Sequence, residues 1–310
     1  MLDTHPMRRV HLVTTRSLSY TIGIAGPPPG LPSDSEILGR ASGENFSVAS
    51  MVLPGRSRRH LMAFYGFARL VDQVGDAYRG DRRAALDWLE AETTAALEDP
   101  AGRHNLVASA ARSVRELGVA PRPLFDLIEA NRRDQDRNSY ETFEELRDYC
   151  RLSADPVGRL VLAAFGFSDP QRVGLSDAIC TGLQLVEHWQ DVREDALAGR
   201  VYLPGRDLRR FGVDATELTG AGPASPALRA LMAFEVARAR EWLDRGRPLI
   251  ATLPGRCRVA VAGFWAGGHA ALDTIAGRDF DVLRPAGRPR PDRVAARMAA
   301  VLIPSLAGKG

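Results

Sequence analysis

Two pairs of aspartates are the residues of this chain best suited to chemistry, because each pair has the spacing of one helical face. The pairs are Asp72 with Asp76 and Asp191 with Asp195, and residues four apart share a side of an α-helix. Two such helices packed with these faces inward would direct four carboxylates into one cavity, where like charges repel unless a cation lies between them. Oxygen ligands suit Mg²⁺, which commonly joins protein carboxylates to substrate phosphates. The spacing therefore predicts a diphosphate held by metal inside a helical bundle.

A solvated helix face is the simpler explanation of any single D-x-x-x-D spacing, and the flanking sequence weighs against it here. Asp72 follows the run 63–71, which is apolar apart from Arg69. Asp191 follows the segment 182–190, which has the character of a buried helix. A carboxylate at the end of a buried segment needs a compensating partner. These contexts favour the functional interpretation.

The composition is that of a globular protein and does not favour nucleic-acid binding. The chain has 310 residues, of which 45% are hydrophobic and 25% charged, and a net charge of +3. Lys309 is the only lysine, and the arginines form no basic run interleaved with aromatic residues, so no nucleic-acid partner is predicted. Arginine also suits bidentate phosphate recognition. The three cysteines are widely spaced without a C-x-x-C pair, which is typical of reduced thiols in the cytoplasm.

Helical periodicity predicts an all-α protein without internal repeats. Apolar positions three and four apart recur along almost the whole chain after residue 39, as expected of helices with one buried face. The predicted helices are 57–77, 82–98, 104–117, 121–133, 142–154, 157–166, 172–196, 227–246, 255–276 and 291–303. Pro156 is predicted to kink the chain, and the segment 204–226 to be rich in loops.

These elements predict one domain, over residues 41–285. A flexible extension, 1–40, precedes it and contains a proline-rich linker, and a tail, 286–310, follows it with a short amphipathic helix. No stretch has the length of a membrane span, and Arg16 interrupts the apolar part of any secretory signal. We therefore expect a cytoplasmic protein with at most peripheral membrane contact.

Four sequence blocks, two of which contain the aspartate pairs, together resemble the motifs of a known family. They are Glu44–Ser50 with Leu53 and Pro54, Tyr65–Asp76, Tyr149–Gly158, and Leu183–Pro204. In this order they resemble the motifs of the squalene/phytoene synthases, a branch of the class I isoprenoid synthases, from Glu44 to about Leu283. The E-N-F opening and the W-Q-D-V block are most similar to the bacterial subgroup that converts presqualene diphosphate to hydroxysqualene. The resemblance implies a single-domain helical bundle with a central cavity.

The resemblance also implies a cofactor, Mg²⁺, a prenyl diphosphate substrate and a set of site residues. The implied metal ligands are Asp72, Asp76, Asp191 and Asp195, which form the catalytic set together with Tyr202. The implied substrate contacts are Arg69 and Arg200 at the diphosphate, Gln184 and Glu187 on the second acidic helix, and Phe46, Ser47, Tyr65, Val157 and Gly158 along the prenyl channel. Asp134 matches a carboxylate position before the kinked helix.

These residue types suit the chemistry of ionising an allylic diphosphate. Negative charge develops on the leaving group, where metal and arginine stabilise it. Positive charge develops on carbon, where an apolar and aromatic pocket protects it from water.

Three positions depart from the family pattern. Gln73 and Ala77 stand where the first acidic motif usually has a second aspartate and a glutamate, and Asp155 stands where close relatives tend to have asparagine. We expect metal binding to depend more on Asp191 and Asp195 than on the first pair.

Three functions remain open at the level of sequence. The first is head-to-head isoprenoid chemistry, either presqualene diphosphate to hydroxysqualene or farnesyl diphosphate coupling. The second is prenyl transfer to an aromatic small-molecule acceptor. The third is a non-catalytic binding or assembly factor, which the retention of all four aspartates disfavours. The lack of a dinucleotide fingerprint disfavours an NADPH-dependent reaction, and His188 is interpreted as a structural residue.

Overall fold

The protein is described by a computed structural model over residues 26–39, 55–284, 287 and 289–303, and this part of the chain is all-α. Within those ranges no β-strand forms, and the only extended pairing is an isolated bridge between Ser139 and Val201. The α-helices are α1 (Asp34–Gly39), α2 (Gly55–Asp72), α3 (Arg82–Glu98), α4 (Asn105–Leu117), α5 (Arg122–Asp134), α6 (Phe143–Ser153), α7 (Asp155–Ala164), α8 (Pro170–Gln190), α9 (Val192–Leu197), α10 (Gly205–Phe211), α11 (Pro226–Gly246), α12 (Pro248–Thr252), α13 (Gly255–Ala276) and α14 (Pro291–Leu302). A π-helix covers Gln73–Ala77 and a 3₁₀-helix Ala215–Thr219.

Side-chain caps explain where several helices begin. A serine, threonine or aspartate just before a helix accepts a hydrogen bond from an otherwise unpaired backbone N–H of the first turn. Asp81 caps α3, Thr142 caps α6, Asp169 caps α8 and Ser225 caps α11. These local signals explain why most predicted helix boundaries agree with the structure.

The predicted helix 172–196 is interrupted at one of the candidate metal ligands. Asp191 has φ −107° and ψ 15°, so that α8 ends at Gln190 and α9 begins at Val192. The backbone N–H of Asp195 nevertheless donates to the carbonyl of Asp191 at 2.8 Å. The i, i+4 relation of the pair therefore survives the break.

The predicted kink near Pro156 is present, and buried charges hold it. Ala154, between α6 and α7, has φ −111° and ψ −50°. Asp155 is fully buried and accepts hydrogen bonds from Arg147 of α6 at 2.9 Å and from Thr181 of α8 at 3.0 Å. The departure from asparagine at this position thus comes with an arginine that compensates its charge.

Two hydrophobic clusters form the core. One is built mainly from α2, α3, α4 and α5, and the other mainly from α8, α11 and α13. Helix α7 contributes Leu160 to the first cluster and Leu162 to the second, and Phe165 packs against both. Asp72 ends α2, a helix of the first cluster, and Asp191 comes directly after α8, a helix of the second cluster, so the two acidic pairs come from helices of different clusters.

Both ends of the described chain pack against the bundle. Ile37 of α1 is buried, and Tyr78 donates a hydrogen bond to the carbonyl of Pro29 at 3.1 Å. Residues 26–39 of the predicted flexible extension are therefore in contact with the fold. At the other end, Arg297 of α14 pairs with Asp273 of α13 at 2.6 Å. The domain limits stay a prediction, since 1–25 and 40–54 lie outside the described residues.

None of the described helices is both long enough and apolar enough to cross a membrane.

Candidate active site

The four candidate metal ligands lie at two helix ends. Asp72 is the last residue of α2, and Asp76 lies in the π-helix that continues it. Asp191 joins α8 to α9, and Asp195 lies in α9. The Asp195 side chain is only 25% exposed, against 44% for Asp72 and 51% for Asp76. The second pair therefore presents the more sheltered carboxylate.

The two acidic pairs are brought to one site, where Arg200 lies close to both. Its guanidinium donates to Asp76 at 2.8 Å. Burial, together with the charges of Asp191 and Asp76, raises the pKa of Asp195 to about 7 although Arg200 opposes this shift. Interaction between carboxylates more than 100 residues apart is what the sequence predicted from their spacing. At the first pair, Arg69 lies 3.6 Å from Asp72.

Arg200 and Tyr202 belong to residues 199–204, which we call the strap. The strap runs beside residues 138–141: Val201 donates to the carbonyl of Asn138 at 2.7 Å, and Gly205 donates to that of Tyr140 at 2.9 Å. In extended backbone, residues two apart face the same way. This pairing explains how Arg200 and Tyr202 both reach the site.

An aromatic cluster of Tyr140, Tyr149, His188 and Tyr202 lies directly beside the acidic residues. The rings of His188 and Tyr202 are stacked with centroids 3.7 Å apart. Tyr202 also lies 5.9 Å from Tyr140 and 6.0 Å from Tyr149. These rings come from residues 138–141, α6, α8 and the strap, and together they give the site an apolar, electron-rich wall.

Asp134 joins the acidic site to the aromatic cluster. The hydroxyl of Tyr149 donates to its carboxylate at 2.7 Å. Burial raises the pKa of Asp134 to about 6 against this hydrogen bond and Arg200, and the charges of Asp76 and Asp72 raise it further. The sequence had marked Asp134 only by position and had assigned no role to Tyr149. The one available signal was that Tyr149 opens the third motif.

His188 is buried and uncharged in this environment, because desolvation lowers its pKa to about 3. Its Nδ1 lies 4.0 Å from Asp195, and its Nε2 lies 3.3 Å from the side-chain nitrogen of Gln184. Gln184 therefore contacts the aromatic cluster, whereas Glu187 is exposed on the same helix. The role of both residues as substrate contacts stays a prediction. The contacts of His188 place it inside the site and not only at a helix seam.

A partly open pocket lies against the strap. It is lined by His188, Val192, Asp195, Val201, Tyr202, Leu203 and Leu218. Apolar side chains dominate the lining, and Asp195 supplies the carboxylate. The extent of the predicted prenyl cavity stays a prediction.

The remaining predicted substrate contacts are more dispersed. Tyr65 is buried in α2. Val157 is exposed at 36%, and Gly158 packs against α8, where an added Cβ would meet the side chains of Cys180 and Ser176. Phe46 and Ser47 lie outside the described residues. The role of these five residues in a prenyl channel remains a prediction.

The donor set at the site suits a hard divalent cation. Within the described part of the chain, no three His, Cys, Asp or Glu side chains lie close enough to hold one ion among themselves. Mg²⁺ does not need such a cage, since it commonly uses one or two carboxylates together with phosphate oxygens and water. Burial, and after it the neighbouring carboxylates, raise the pKa of Asp195, and a bound cation would offset both effects. The residues present therefore fit the predicted ion.

Comparisons with known proteins agree with this geometry. The sequence profile of squalene/phytoene synthase matches residues 40–295. A hydroxysqualene synthase of Rhodopseudomonas palustris is 38% identical over 214 residues, covering 68% of this chain and 71% of that protein. A phytoene synthase of Mycobacterium tuberculosis is 30% identical over 245 residues, covering 74% and 78%. The crystal structure of squalene synthase HpnC from Alicyclobacillus acidocaldarius has a TM-score of 0.73 at 40% identity, covering 80% of this chain and 95% of that one.

An all-helical bundle in which two acidic helix ends meet defines the class of isoprenoid-synthase-like enzymes. More specifically, the chain belongs to the squalene/phytoene synthase family, whose members are prenyl-transferring synthases. The fold and the family predicted from the sequence are both confirmed.

Proposed function

We propose that this protein ionises a prenyl diphosphate and captures the carbocation, most simply by converting presqualene diphosphate to hydroxysqualene. The observation that carries the proposal is the meeting of the two acidic pairs at Arg200, beside an aromatic wall. The naming of a 38% identical relative as a hydroxysqualene synthase supports the particular reaction.

The acidic end of the site binds the leaving group in this proposal. Asp72, Asp76, Asp191 and Asp195 would hold Mg²⁺, which supplies positive charge to the departing diphosphate. Arg200 is suited to bind the same group, because a guanidinium offers paired donors to phosphate oxygens. Its present hydrogen bond to Asp76 keeps its charge balanced until an anion replaces that partner.

The aromatic end of the site protects the carbocation. The C–O bond to diphosphate breaks with its electron pair on the leaving group, and the cyclopropylcarbinyl cation then rearranges with cleavage of a ring C–C bond to an open-chain allylic cation. One water oxygen bonds to that cation and loses a proton, which gives the alcohol. Tyr149 and the stacked pair of Tyr202 and His188 supply π-electron density, which attracts positive charge nearby. The apolar lining of the pocket beside Tyr202 limits how much water can reach the cation, which favours one capture over random quenching.

Purified protein should be incubated with Mg²⁺ and, separately, with presqualene, farnesyl, geranyl and dimethylallyl diphosphates. We expect release of diphosphate from presqualene diphosphate together with a C30 alcohol, and no release when EDTA removes the metal. Asp195→Ala should abolish turnover and serves as the control for contaminating phosphatases.

The other outcomes separate the alternatives. A C30 hydrocarbon from farnesyl diphosphate would replace hydroxysqualene synthesis with coupling. Release that requires an added aromatic acceptor would identify a transferase to a small molecule. No turnover with any of the four donors would overturn the proposal. The oily product makes peripheral contact with a membrane reasonable, and this too stays a prediction.

A further inference from the structure

The strap and its partner segment both lead directly into helices. Residues 138–141 run into α6, which begins at Phe143, and the strap runs into α10, which begins at Gly205. The pairing continues to the start of α10, because Arg206 donates to the carbonyl of Glu141 at 2.9 Å. A contact that fixes the first turns of α6 and α10 therefore also fixes how the strap lies along residues 138–141.

One side chain from α11 contacts both first turns. The guanidinium of Arg238 lies over the ring of Phe143, 4.3 Å from its centroid. The Nη1 of the same group bonds the carboxylate of Asp207 in α10 at 2.8 Å. Arg238 is only 18% exposed, and the centroid of the Phe234 ring lies 4.6 Å from its guanidinium. The position of the Arg238 guanidinium is therefore fixed by the two rings that pack against it.

A second carboxylate shares this arginine. Both oxygens of Glu235 lie 3.0 Å from Nη1 of Arg238, the same atom that binds Asp207. Glu235 is 0% exposed and Asp207 8% exposed. Two buried carboxylates thus meet one positive charge, an arrangement that favours one shared proton.

We propose that Arg238 is a positioning residue for the candidate active site. It fastens α10 and α6 to α11, sets the register of the strap against residues 138–141, and so holds Arg200 and Tyr202 in place. Arg238 lies outside the acidic and aromatic sets described above, and it acts only through the backbone of the strap. The effect on turnover rests on the proposed function, whereas the effect on the strap does not.

The shared proton makes this joint sensitive to pH. Within the described residues, the charged groups that act on Glu235 are Arg238 on its own helix and Asp207 on α10, which packs against it. Burial raises the pKa of Glu235 to about 8 against the opposing effect of Arg238. Loss of the proton leaves two negative charges for one guanidinium, and we expect the hold on α10 to weaken as the pH rises from 7 to 9.

Hydrogen exchange tests the structural step without any substrate. In Arg238→Met, the protection factors of the Val201, Gly205 and Arg206 amides should fall at least about tenfold, because a buried charge-assisted contact is lost. The matched control is Arg240→Met, which removes an arginine of the same helix that pairs with Asp273 at 2.7 Å. The control should leave these three amides unchanged.

Conservative variants keep the test valid if Arg238→Met folds poorly. Arg238→Lys retains the charge but not the stacked plane, and should show an intermediate loss of protection. Glu235→Gln removes the group that titrates and leaves Asp207 as the only carboxylate on Arg238. The three amides should therefore keep constant protection between pH 7 and 9, while those of the wild type lose protection. Equal protection in the wild type and Arg238→Lys, or equal losses in the Arg238 and Arg240 variants, would overturn the proposal.

Turnover then tests the functional step. Diphosphate release in Arg238→Met should fall at least about tenfold in kcat/KM, with release in Arg240→Met within twofold of the wild type. A loosened strap with unchanged kcat/KM would show that Arg238 does not position the site. A wild-type protein without turnover on any prenyl diphosphate would refute the proposed function, and the exchange result would still decide how the strap is held.

Discussion

The four aspartates of the site have unequal surroundings, although the sequence presents them as two identical pairs. Asp76 is paired with Arg200, and Asp72 lies near Arg69. Asp195 is more buried, and its pKa is raised to about 7 by burial and by Asp191 and Asp76. The ionised form of Asp195 is thus the least favourable of the four without a cation, and we expect it to be stabilised most when a cation binds.

This inequality predicts different losses in the two pairs. Asp195→Ala should reduce Mg²⁺-dependent diphosphate release at least about tenfold more than Asp72→Ala. In the Asp72→Ala variant, Arg69 and Arg200 still supply positive charge beside the first pair. The measurement is kcat/KM over a series of Mg²⁺ concentrations, with the apparent metal affinity from the same series. Equal losses and equal metal affinities in the two variants would contradict the expected asymmetry.

Tyr149 provides a second prediction at this scale. Tyr149→Phe removes the hydroxyl that donates to Asp134, so burial and the neighbouring acids are left to raise the pKa of Asp134 above about 6. We expect diphosphate release to fall at least about tenfold near pH 7, while the free energy of unfolding falls by only about 1 kcal/mol.

The matched control is Tyr78→Phe, which also loses one hydroxyl hydrogen bond, to the carbonyl of Pro29. It should lower stability by a similar or smaller amount and keep turnover. A Tyr149→Phe protein as active as Tyr78→Phe would show that the bond to Asp134 matters only for stability.

The sequence predicted the residues whose relation is encoded by local spacing. An i, i+4 spacing can be read directly from the sequence, which is how the pairs Asp72 with Asp76 and Asp191 with Asp195 were identified. The contact between Asp134 and Tyr149 crosses from α5 to α6, and the stack of His188 on Tyr202 joins α8 to the strap. Nothing in local periodicity reports such contacts, because they depend on how the elements pack.

At the scale of elements, helix positions were predictable and their irregular turns were not. Caps and prolines stand in the sequence at the ends of α3, α8 and α11, so local chemistry determined them. The π-helix Gln73–Ala77 has no such signal. Its Gly75 packs directly against Asn131, and Gln135 donates to the carbonyl of Gly75 at 3.0 Å. Tertiary contacts with α5 therefore accompany the irregular turn that carries Asp76.

Gly75 should consequently tolerate no side chain. A Cβ there would overlap the amide group of Asn131, and we expect Gly75→Ala to lower the free energy of unfolding by roughly 1–3 kcal/mol. Turnover should fall as well, since the π-helix also carries Asp76. Gly174→Ala is the control, because open space surrounds that helical glycine, and it should raise stability by about 0.5–1 kcal/mol. Urea unfolding measures both, and a neutral Gly75→Ala would disprove the close packing.

At the scale of the whole molecule, the residues of the site come from helices of two hydrophobic clusters. Composition and periodicity predicted one helical domain, and they did not predict that its apolar residues divide into two clusters linked through α7 and Phe165. The division follows from packing, since both clusters are built from helices with similar periodicity. The two acidic pairs come from helices of different clusters, so the site depends on how the clusters are joined.

Two buried carboxyl groups outside the acidic and aromatic sets of the site contribute to how the stability of the fold depends on pH. Burial raises the pKa of Glu235 from 4.5 to about 8 and that of Asp155 from 3.8 to about 6. At these two groups the folded protein therefore binds more protons than the unfolded chain between these pKa values, and above about pH 6.5 the buried His188, whose pKa is lowered, no longer opposes them. Stability must then fall as the pH rises through this window, by about 1.4 kcal/mol per pH unit for each proton difference.

We accordingly expect the wild type to unfold at a higher temperature at pH 5.5 than at pH 8.5. Glu235→Gln removes the larger contribution, because a neutral amide keeps the shape and the acceptor oxygen beside Arg238 without the charge. Its unfolding temperature should depend less on pH and exceed that of the wild type at pH 8.5. Calorimetric scans from pH 5 to 9 test this, with Glu241→Gln, an exposed glutamate of the same helix, as the control that should follow the wild type. A wild-type stability that rises between pH 5.5 and 8.5 would mean that Glu235 is ionised in the folded protein and that Arg238 alone balances both carboxylates.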